Sequence, residues 1–281
     1  MNHLPKRTNA RIAGRRAVNA LLLAVCLFLL AVWVSRLETS LVRSSFLTGY
    51  VLWLSLIFLT LFNLRKKLTM LPKLGSAAFW MQAHIYVGLG TFAVFGLHVG
   101  WRFPTGGFDR ILAALYWFVA LSGIYGLYLT RTVPRRLTQI RVEPIFEAIP
   151  RLRYQLLQKA TAIMDEQFEN NEVLRPVYYR KLRPFFENDR GPWYMLFPSA
   201  RKSRALVAEI QKQHRYLSPA DRRASSALAQ LVRECDDLDY HRAMQGRLKV
   251  WLIVHVSCTY SLLIVATWHG VMAHAFSGVL R

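Results

Sequence analysis

This chain has few acidic residues, and it lacks charge altogether in its long apolar stretches. Its 281 residues include 16 Asp and Glu against 37 Lys and Arg, so the formal net charge is +21, although 53% of the residues are hydrophobic. Charged residues are missing from five runs, at residues 17–34, 46–64, 77–101, 111–130 and 250–276. Because about 20 apolar residues can cross a bilayer, these runs predict an integral membrane protein and not a soluble domain.

Cysteine is also scarce. The three cysteines, Cys26, Cys235 and Cys258, form neither a Cys-x-x-Cys nor a Cys-x-x-Cys-His sequence. Covalently attached c-type haem and an iron–sulfur cluster held by this chain alone both require such groups, so neither is expected. A disulfide framework is not expected either, and we interpret the three cysteines as small hydrophobic side chains.

The basic excess lies in the segments that flank the apolar runs. We therefore expect no nucleic acid partner, and expect anionic membrane lipid or an acidic redox partner protein instead. The same charges could equally serve only to set topology. They concentrate in the N-terminal tail and in the links after the second and fourth runs, which places the N-terminus in the cytoplasm and the C-terminus in the periplasm of a bacterial inner membrane. The first run is expected to be a retained span, not a cleaved signal peptide.

These patterns predict an all-α integral membrane bundle of five transmembrane helices, with a helical cytoplasmic insertion between helices 4 and 5. The expected domains are a basic cytoplasmic tail at residues 1–16, transmembrane helices 1–4 at 17–130, the insertion at 131–249, and helix 5 with the C-terminus at 250–281.

The insertion shows helical patterns at residues 151–170 and 199–216, and a helix start at Ser218-Pro219 with the serine as the cap. The helix that follows has one apolar face, formed by Leu228, Leu231, Val232, Cys235 and Leu238. Two roles stay open for the insertion. It could dock a cytoplasmic electron carrier or enzyme subunit, or it could be a small helical cap over the inner side of the membrane domain.

Four of the eight histidines form two matched pairs inside the apolar runs. His84 and His98 are 14 residues apart in the third run, and His255 and His269 are 14 residues apart in the fifth. On a helix this spacing is about four turns less roughly 40°, with a rise of roughly 21 Å, so the members of a pair face the same way near opposite sides of the bilayer. Two such helices side by side offer two His–His gaps, each suited to an iron porphyrin with two axial imidazoles.

The predicted topology decides which histidines meet. The third and fifth helices are two crossings apart and run parallel, which pairs His84 with His255 toward the inner side and His98 with His269 toward the outer side. Polar side chains are costly within a membrane and tend to mark function. We therefore expect these histidines to ligate two haems b. A proton path, a metal-transport site and simple hydrogen bonding between helices are the alternatives.

Several other residues are weaker candidates. His274 competes for a ligand position but lies about 100° from the face of His255, so it is expected near the outer surface, close to a haem propionate or a quinone. Arg102 is the outer candidate for a propionate, and the inner candidates are Lys73, Arg247 and Lys249. For each of the four, a role as an interface anchor is the favoured alternative. The remaining histidines, His3, His214 and His241, are interpreted as solvated. Small residues, which would let a flat ring approach the backbone but also suit helix packing, are Gly88, Gly90, Gly96, Gly100 and Gly270.

Two histidines on each of two membrane helices, here His84 with His98 and His255 with His269, resemble the ferric-reductase-like transmembrane domain and related di-haem b-type cytochromes. The resemblance covers roughly residues 46–130 and 247–276 and rests on spacing and helix order. It implies that the four histidines are the axial ligands of two stacked haems. It also implies that electrons cross the membrane between a cytoplasmic donor or the quinone pool and a periplasmic acceptor.

The chain departs from that family in two respects. Such reductases often continue into a C-terminal flavin and nicotinamide domain, which this sequence does not contain, and the insertion at 131–249 has no counterpart that we recognise. We therefore expect an electron-transfer subunit that receives electrons from another protein or from quinol. Two other functions stay open: a terminal reductase of a small acceptor at the outer haem, and a histidine-based metal or proton transporter.

Overall fold

The computed structural model describes residues 6–39, 44–64, 76–137, 145–167, 174–213 and 217–277. Within these ranges the chain is helical and contains no strand, which confirms the all-α class. The α-helices are α1 (Lys6–Thr39), α2 (Ser44–Leu64), α3 (Ala77–Val99), α4 (Gly107–Leu137), α5 (Ile149–Gln167), α6 (Leu174–Val177), α7 (Arg183–Glu187), α8 (Gly191–Leu196), α9 (Arg201–Gln213) and α10 (Pro219–Ser277), with a 3-10 turn at Phe146–Ala148 and a π-helical turn at Tyr178–Leu182.

Five of these helices, α1 to α4 and α10, are long and apolar enough to cross a membrane. Their candidate spans contain large apolar side chains that are exposed on the protein surface, among them Leu21, Phe28, Leu54, Ile111 and Ile264. Exposed apolar surface of this extent marks a membrane or protein contact, and the length of the helices matches a bilayer. The chain is therefore a multi-pass membrane protein with five candidate spans.

The chain divides into two compact units, and the first consists of Met1–Tyr125 and Ile253–Arg281. In it, α2 packs against α3 and α1 packs against α3. A buried cluster of four residues joins α2, α4 and α10: Leu56, Tyr116, Val119 and Leu262. The α3 helix is capped at both ends, by the Ser76 hydroxyl, which accepts from the Phe79 N–H, and by Gly100 in the left-handed conformation with φ of 62°.

The second unit is Gly126–Leu252, and its core is helical. Residues from α5, α6, α7, α9 and α10 form one buried cluster that includes Ile149, Tyr178, Phe185, Ile210 and Val232. The apolar face predicted for the last helix lies in this cluster, since Leu228, Leu231, Val232, Cys235 and Leu238 are all buried. The insertion is thus a packed helical unit.

The last helix begins where the sequence predicts and then continues without a break. The Ser218 hydroxyl accepts a hydrogen bond from the Asp221 N–H at 3.2 Å, which confirms the serine cap. From Pro219 the helix runs for 59 residues to Ser277. The predicted boundary between residues 249 and 250 is therefore a change of composition within one helix. Similarly, α1 begins at Lys6, so most of the predicted N-terminal tail is part of the first helix.

A buried ionic network in the second unit was not apparent in the sequence. The Arg153 guanidinium donates to the Asp239 carboxylate at 2.6 Å and to the carbonyl oxygens of Phe185, Phe186 and Asn188 at 2.9 Å. The Arg190 guanidinium forms ion pairs with the same Asp239, at 2.9 Å, and with Asp236. Because a buried charge needs a partner and further hydrogen bonds, this network ties α5 and the segment around α7 to α10.

The prediction that His241 is solvated was wrong. Its side chain is only 1% exposed, because α10 carries it into the interior of the second unit, beside the buried Asp239 two residues earlier. The sequence shows no functional constellation around His241, but Asp239, on the same helix, is also buried and is ion-paired. The other histidines interpreted as solvated, His3 and His214, lie outside the described residues.

Candidate functional site

His98 and His269 lie next to each other near one end of the first unit, with their rings almost perpendicular. Their ring centroids are 6.3 Å apart and their ring planes make an angle of 83°. Metal ions bind an imidazole nitrogen at roughly 2 Å, so two imidazoles on opposite sides of one metal ion have their ring centroids about 6 Å apart. The spacing of this pair therefore fits a single metal atom between the two rings.

The His98 ring is oriented by the start of α2. Its Nδ1 lies 3.1 Å from the Ser45 carbonyl oxygen and 3.2 Å from the Thr48 hydroxyl. The Thr48 hydroxyl itself lies 3.1 Å from the Ser45 carbonyl, to which it donates, so both groups can accept from an Nδ1–H. A hydrogen on Nδ1 leaves the lone pair on Nε2, which is the nitrogen that binds a metal.

Gly49 makes this position of the His98 ring possible. A Cβ atom built on Gly49 would lie 3.1 Å from Cε1 of the ring, which is closer than ordinary van der Waals contact. Nothing in the sequence marks this glycine as part of the site, because it lies in a helix that carries none of the four histidines. Two adjacent residues of α2 thus accommodate the His98 side chain of α3: Thr48 supplies a hydrogen bond acceptor, and Gly49 leaves space for the ring.

His269 is held by the first turn of α4. Its Nδ1 lies 3.4 Å from the Asp109 carboxylate, and its ring stacks on Phe108 with centroids 6.1 Å apart. A histidine that binds a metal through Nε2 commonly donates its Nδ1–H to a carboxylate or a carbonyl oxygen, which fixes the tautomer. Asp109 has that relation to His269, as the Ser45 carbonyl has to His98.

The second pair, His84 and His255, also lies inside the first unit, close enough for the two side chains to interact electrostatically. Nδ1 of His255 lies 2.7 Å from the Ser122 hydroxyl, which donates its own hydrogen to the Val119 carbonyl at 2.8 Å. The hydroxyl therefore accepts from an Nδ1–H, as in the first pair. Gly123, the next residue of α4, also adjoins this ring: a Cβ there would lie at an ordinary van der Waals distance of 3.5 Å from Cε1.

His84 differs from the other three histidines in its surroundings. Its ring packs against Phe62 with centroids 5.0 Å apart, and the Leu59 backbone is close enough to interact with it electrostatically. Among the described residues, no group meets hydrogen bond geometry with its buried Nδ1. His84 is therefore positioned by the packing of its ring against Phe62 and by the nearby Leu59 backbone.

The donor sets are therefore two imidazoles at each of two places. Within the described ranges, no three His, Cys, Asp or Glu side chains group as a metal site would require. A bare ion would need further protein ligands at both places. An iron porphyrin supplies four ligands of its own and takes two axial imidazoles, so the spacing of His98 and His269 fits that group, and His84 with His255 offers the same pair of donors.

Other candidate residues have different roles in the structure. His274 bonds through Nε2 to the Tyr50 hydroxyl and packs against the Phe46 ring, so it contacts α2 and not the His98–His269 pair. Arg102 is exposed in the turn after α3, with its N–H bonded to the Val99 carbonyl at 3.3 Å. In the second unit, Arg247 donates to carbonyl oxygens and Lys249 to Glu147. Lys73 lies outside the described residues.

Most of the small residues highlighted in the sequence serve packing or chain reversal. A Cβ on Gly90 would meet Leu23 of α1, and a Cβ on Gly96 would meet the Trp101 ring. Gly100 is the left-handed C-cap of α3. The glycines that contact the histidine rings are Gly49 and Gly123, which lie on the neighbouring helices α2 and α4. Sequence spacing alone could not have found them, because it does not say which helices surround a histidine.

No protein-family model, no curated protein and no solved structure matches the chain.

Proposed function

We propose that this chain is a di-haem b-type cytochrome of the bacterial inner membrane, similar in its histidine arrangement to the ferric-reductase-like transmembrane domain. The observation that carries the proposal is the His98–His269 pair, with ring centroids 6.3 Å apart and each Nδ1 directed at an oxygen of the protein. Such a pair offers two Nε2 atoms to one iron, and the His84–His255 pair offers a second set.

The residues around the pairs would hold the ligands in place. Haem supplies the one-electron chemistry, and the protein supplies ligands, spacing and dielectric. Ser45 and Thr48 orient His98, Ser122 orients His255, and Asp109 orients His269. Because Asp109 is an anion beside a ligand, it would also favour the more positive ferric state of the iron at that place.

The proposed path runs across the membrane. One haem at His84 and His255 would exchange electrons with a cytoplasmic protein or a quinone, and one at His98 and His269 with a periplasmic acceptor. The N-terminus would lie in the cytoplasm, following the positive-inside rule. Arg102, in the exposed turn that follows His98, remains the proposed partner of an outer propionate.

The test is a reduced-minus-oxidised visible spectrum of the purified protein in detergent, with a pyridine haemochrome count per chain. We expect two b-type haems per chain with a low-spin, bis-histidine spectrum. A well-folded preparation without haem, after expression with adequate haem supply, would refute the proposal. It would instead favour a histidine-based metal or proton pathway.

One observation favours a related second function, direct reduction of a small acceptor at the outer haem. The Asp109 side chain, which lies beside His269 just before the charge-free run of α4, is 49% exposed, so solvent reaches this side of the His98–His269 pair. Rapid reoxidation of the reduced, purified protein by a soluble ferric chelate, without any partner protein, would support this function. Slow reoxidation that accelerates only with a protein acceptor would support the conduit.

A further inference from the structure

An exposed apolar patch on the second unit has no role in the proposed electron path. Trp193 and Leu196 of α8 and the adjacent Phe197 are 74%, 49% and 74% exposed, respectively. We refer to these three side chains as the aromatic patch. Three large apolar side chains are exposed here within five residues, while the other described aromatic residues of this unit are mostly packed. Such a group marks a surface that contacts an apolar phase or a partner.

The position of the aromatic patch along α10 is fixed by Arg247. The Arg247 guanidinium donates to the carbonyl oxygens of Met195 and Leu196, at the C-terminal end of α8. A cation at the end of a helix satisfies its last carbonyl groups and its dipole. The charge-free run of α10 begins at Val250. Arg247 lies three residues before it, which is a rise of roughly 4.5 Å along the helix.

Within this unit, the charge-free run of α4 ends at the same level as the charge-free run of α10. Gly126 of α4 contacts the Trp251 ring, and Val133 clusters with Ala243 and Met244 of α10. The two helices therefore run antiparallel, which sets residue 130 opposite residue 247. Thr130 is the last residue of the charge-free run of α4, so both apolar runs end at the level of Arg247.

We propose that the aromatic patch lies in the headgroup layer of the membrane leaflet from which α4 and α10 emerge. Tryptophan is enriched at this depth, because its ring is amphipathic. The basic side chains at the same level, Arg247 and Lys249, suit anionic headgroups, and the Lys249 ammonium also lies 4.2 Å from the centroid of the Phe146 ring. The short α8 helix is thus an interfacial anchor of the insertion.

The proposal depends on the membrane-spanning character of α4 and α10 and not on haem. It can be tested by placing a nitroxide spin label at position 197 through Phe197→Cys, in a Cys26→Ser, Cys258→Ala background. Cys235 is fully buried and can remain. The purified full-length protein is reconstituted into vesicles of phosphatidylethanolamine and phosphatidylglycerol. Collision of the label with oxygen, which concentrates in the bilayer, is compared with collision with a water-soluble nickel chelate.

The matched control is Tyr179→Cys in the same background. Tyr179 is also an exposed aromatic residue of the second unit, and its neighbour Tyr178 belongs to the cluster around Val232. Val232 precedes Val250 by roughly 27 Å along α10. We expect a ratio of oxygen to nickel collisions severalfold higher at 197 than at 179, with a Trp193→Cys label matching 197. Equal ratios at 197 and 179 in purified protein would overturn the proposal and leave the patch to a protein partner.

Discussion

Nδ1 of His269 lies 3.4 Å from the Asp109 carboxylate, and this contact joins the last membrane helix to the first turn of α4. The same carboxylate also interacts electrostatically with His98, so one negative charge acts on both rings of the outer pair. A carboxylate behind an axial histidine makes the imidazole a stronger donor and favours the oxidised metal. In the pair at His84 and His255, Nδ1 of His255 lies beside the Ser122 hydroxyl, a neutral group, and not beside a carboxylate.

This asymmetry predicts that Asp109→Asn raises the midpoint potential of the outer haem alone. A half-exposed charge pair contributes up to about 1 kcal/mol, which corresponds to a rise of up to about 40 mV for one electron. Potentiometric titration of the visible spectrum would resolve the two haems. Asp109→Glu is the control, because it keeps the charge and should leave both potentials close to those of the wild type. An equal shift of both haems in Asp109→Asn would contradict this role.

The pairing of the histidines gives a second prediction. His98→Ala and His269→Ala should each remove the same haem, while His84→Ala and His255→Ala should each remove the other, because each haem needs both axial ligands. The haem content per chain and the EPR signals of the low-spin ferric state would report which haem remains. The double variant His84→Ala, His98→Ala should contain none. If it retains one haem, the parallel pairing is wrong.

The third prediction concerns the space that Gly49 leaves for the His98 ring. Gly49→Ala would place a methyl group 3.1 Å from the His98 ring, so the ring must tilt. We expect altered EPR g values for the outer haem and faster loss of that haem in detergent, with the inner haem unchanged. Gly270→Ala is the matched control, because it adjoins His269 but a Cβ there meets nothing within 4 Å. Equal effects of the two substitutions would show that the close approach at Gly49 does not matter.

The sequence could predict the number of membrane helices and the helical insertion, because long charge-free runs and a serine cap are local signals. It also predicted which histidines lie together, because the parity of the crossings determines the direction of each helix. It could not predict Ser122, Thr48 or Asp109 as partners of the histidine rings. Those contacts depend on the rotation of α2 and α4 about their own axes, which packing decides.

The error at His241 has a related cause. A helix rich in Arg, Asp and Glu looks solvated by composition, but in α10 the acidic residues Asp236 and Asp239 face arginines of other helices. A polar pattern is therefore compatible with burial when its charges are paired. Pairs between residues distant in sequence, such as Arg153 and Asp239, cannot be recognised from local periodicity.

That network leads to the last prediction, which concerns stability. Arg153→Met would leave the buried Asp239 with Arg190 as its remaining guanidinium partner, and the carbonyl groups of Phe185 and Phe186 without a donor from Arg153. Breaking a buried ion pair by removing one partner costs about 3–5 kcal/mol, so we expect a clearly lower thermal denaturation temperature in detergent, followed by circular dichroism at a fixed scan rate. Arg183→Met is the matched control: it removes an exposed pair with Glu187, four residues along the same helix, and should leave the transition unchanged. An unchanged transition in Arg153→Met would mean that the apolar cluster alone holds the second unit together.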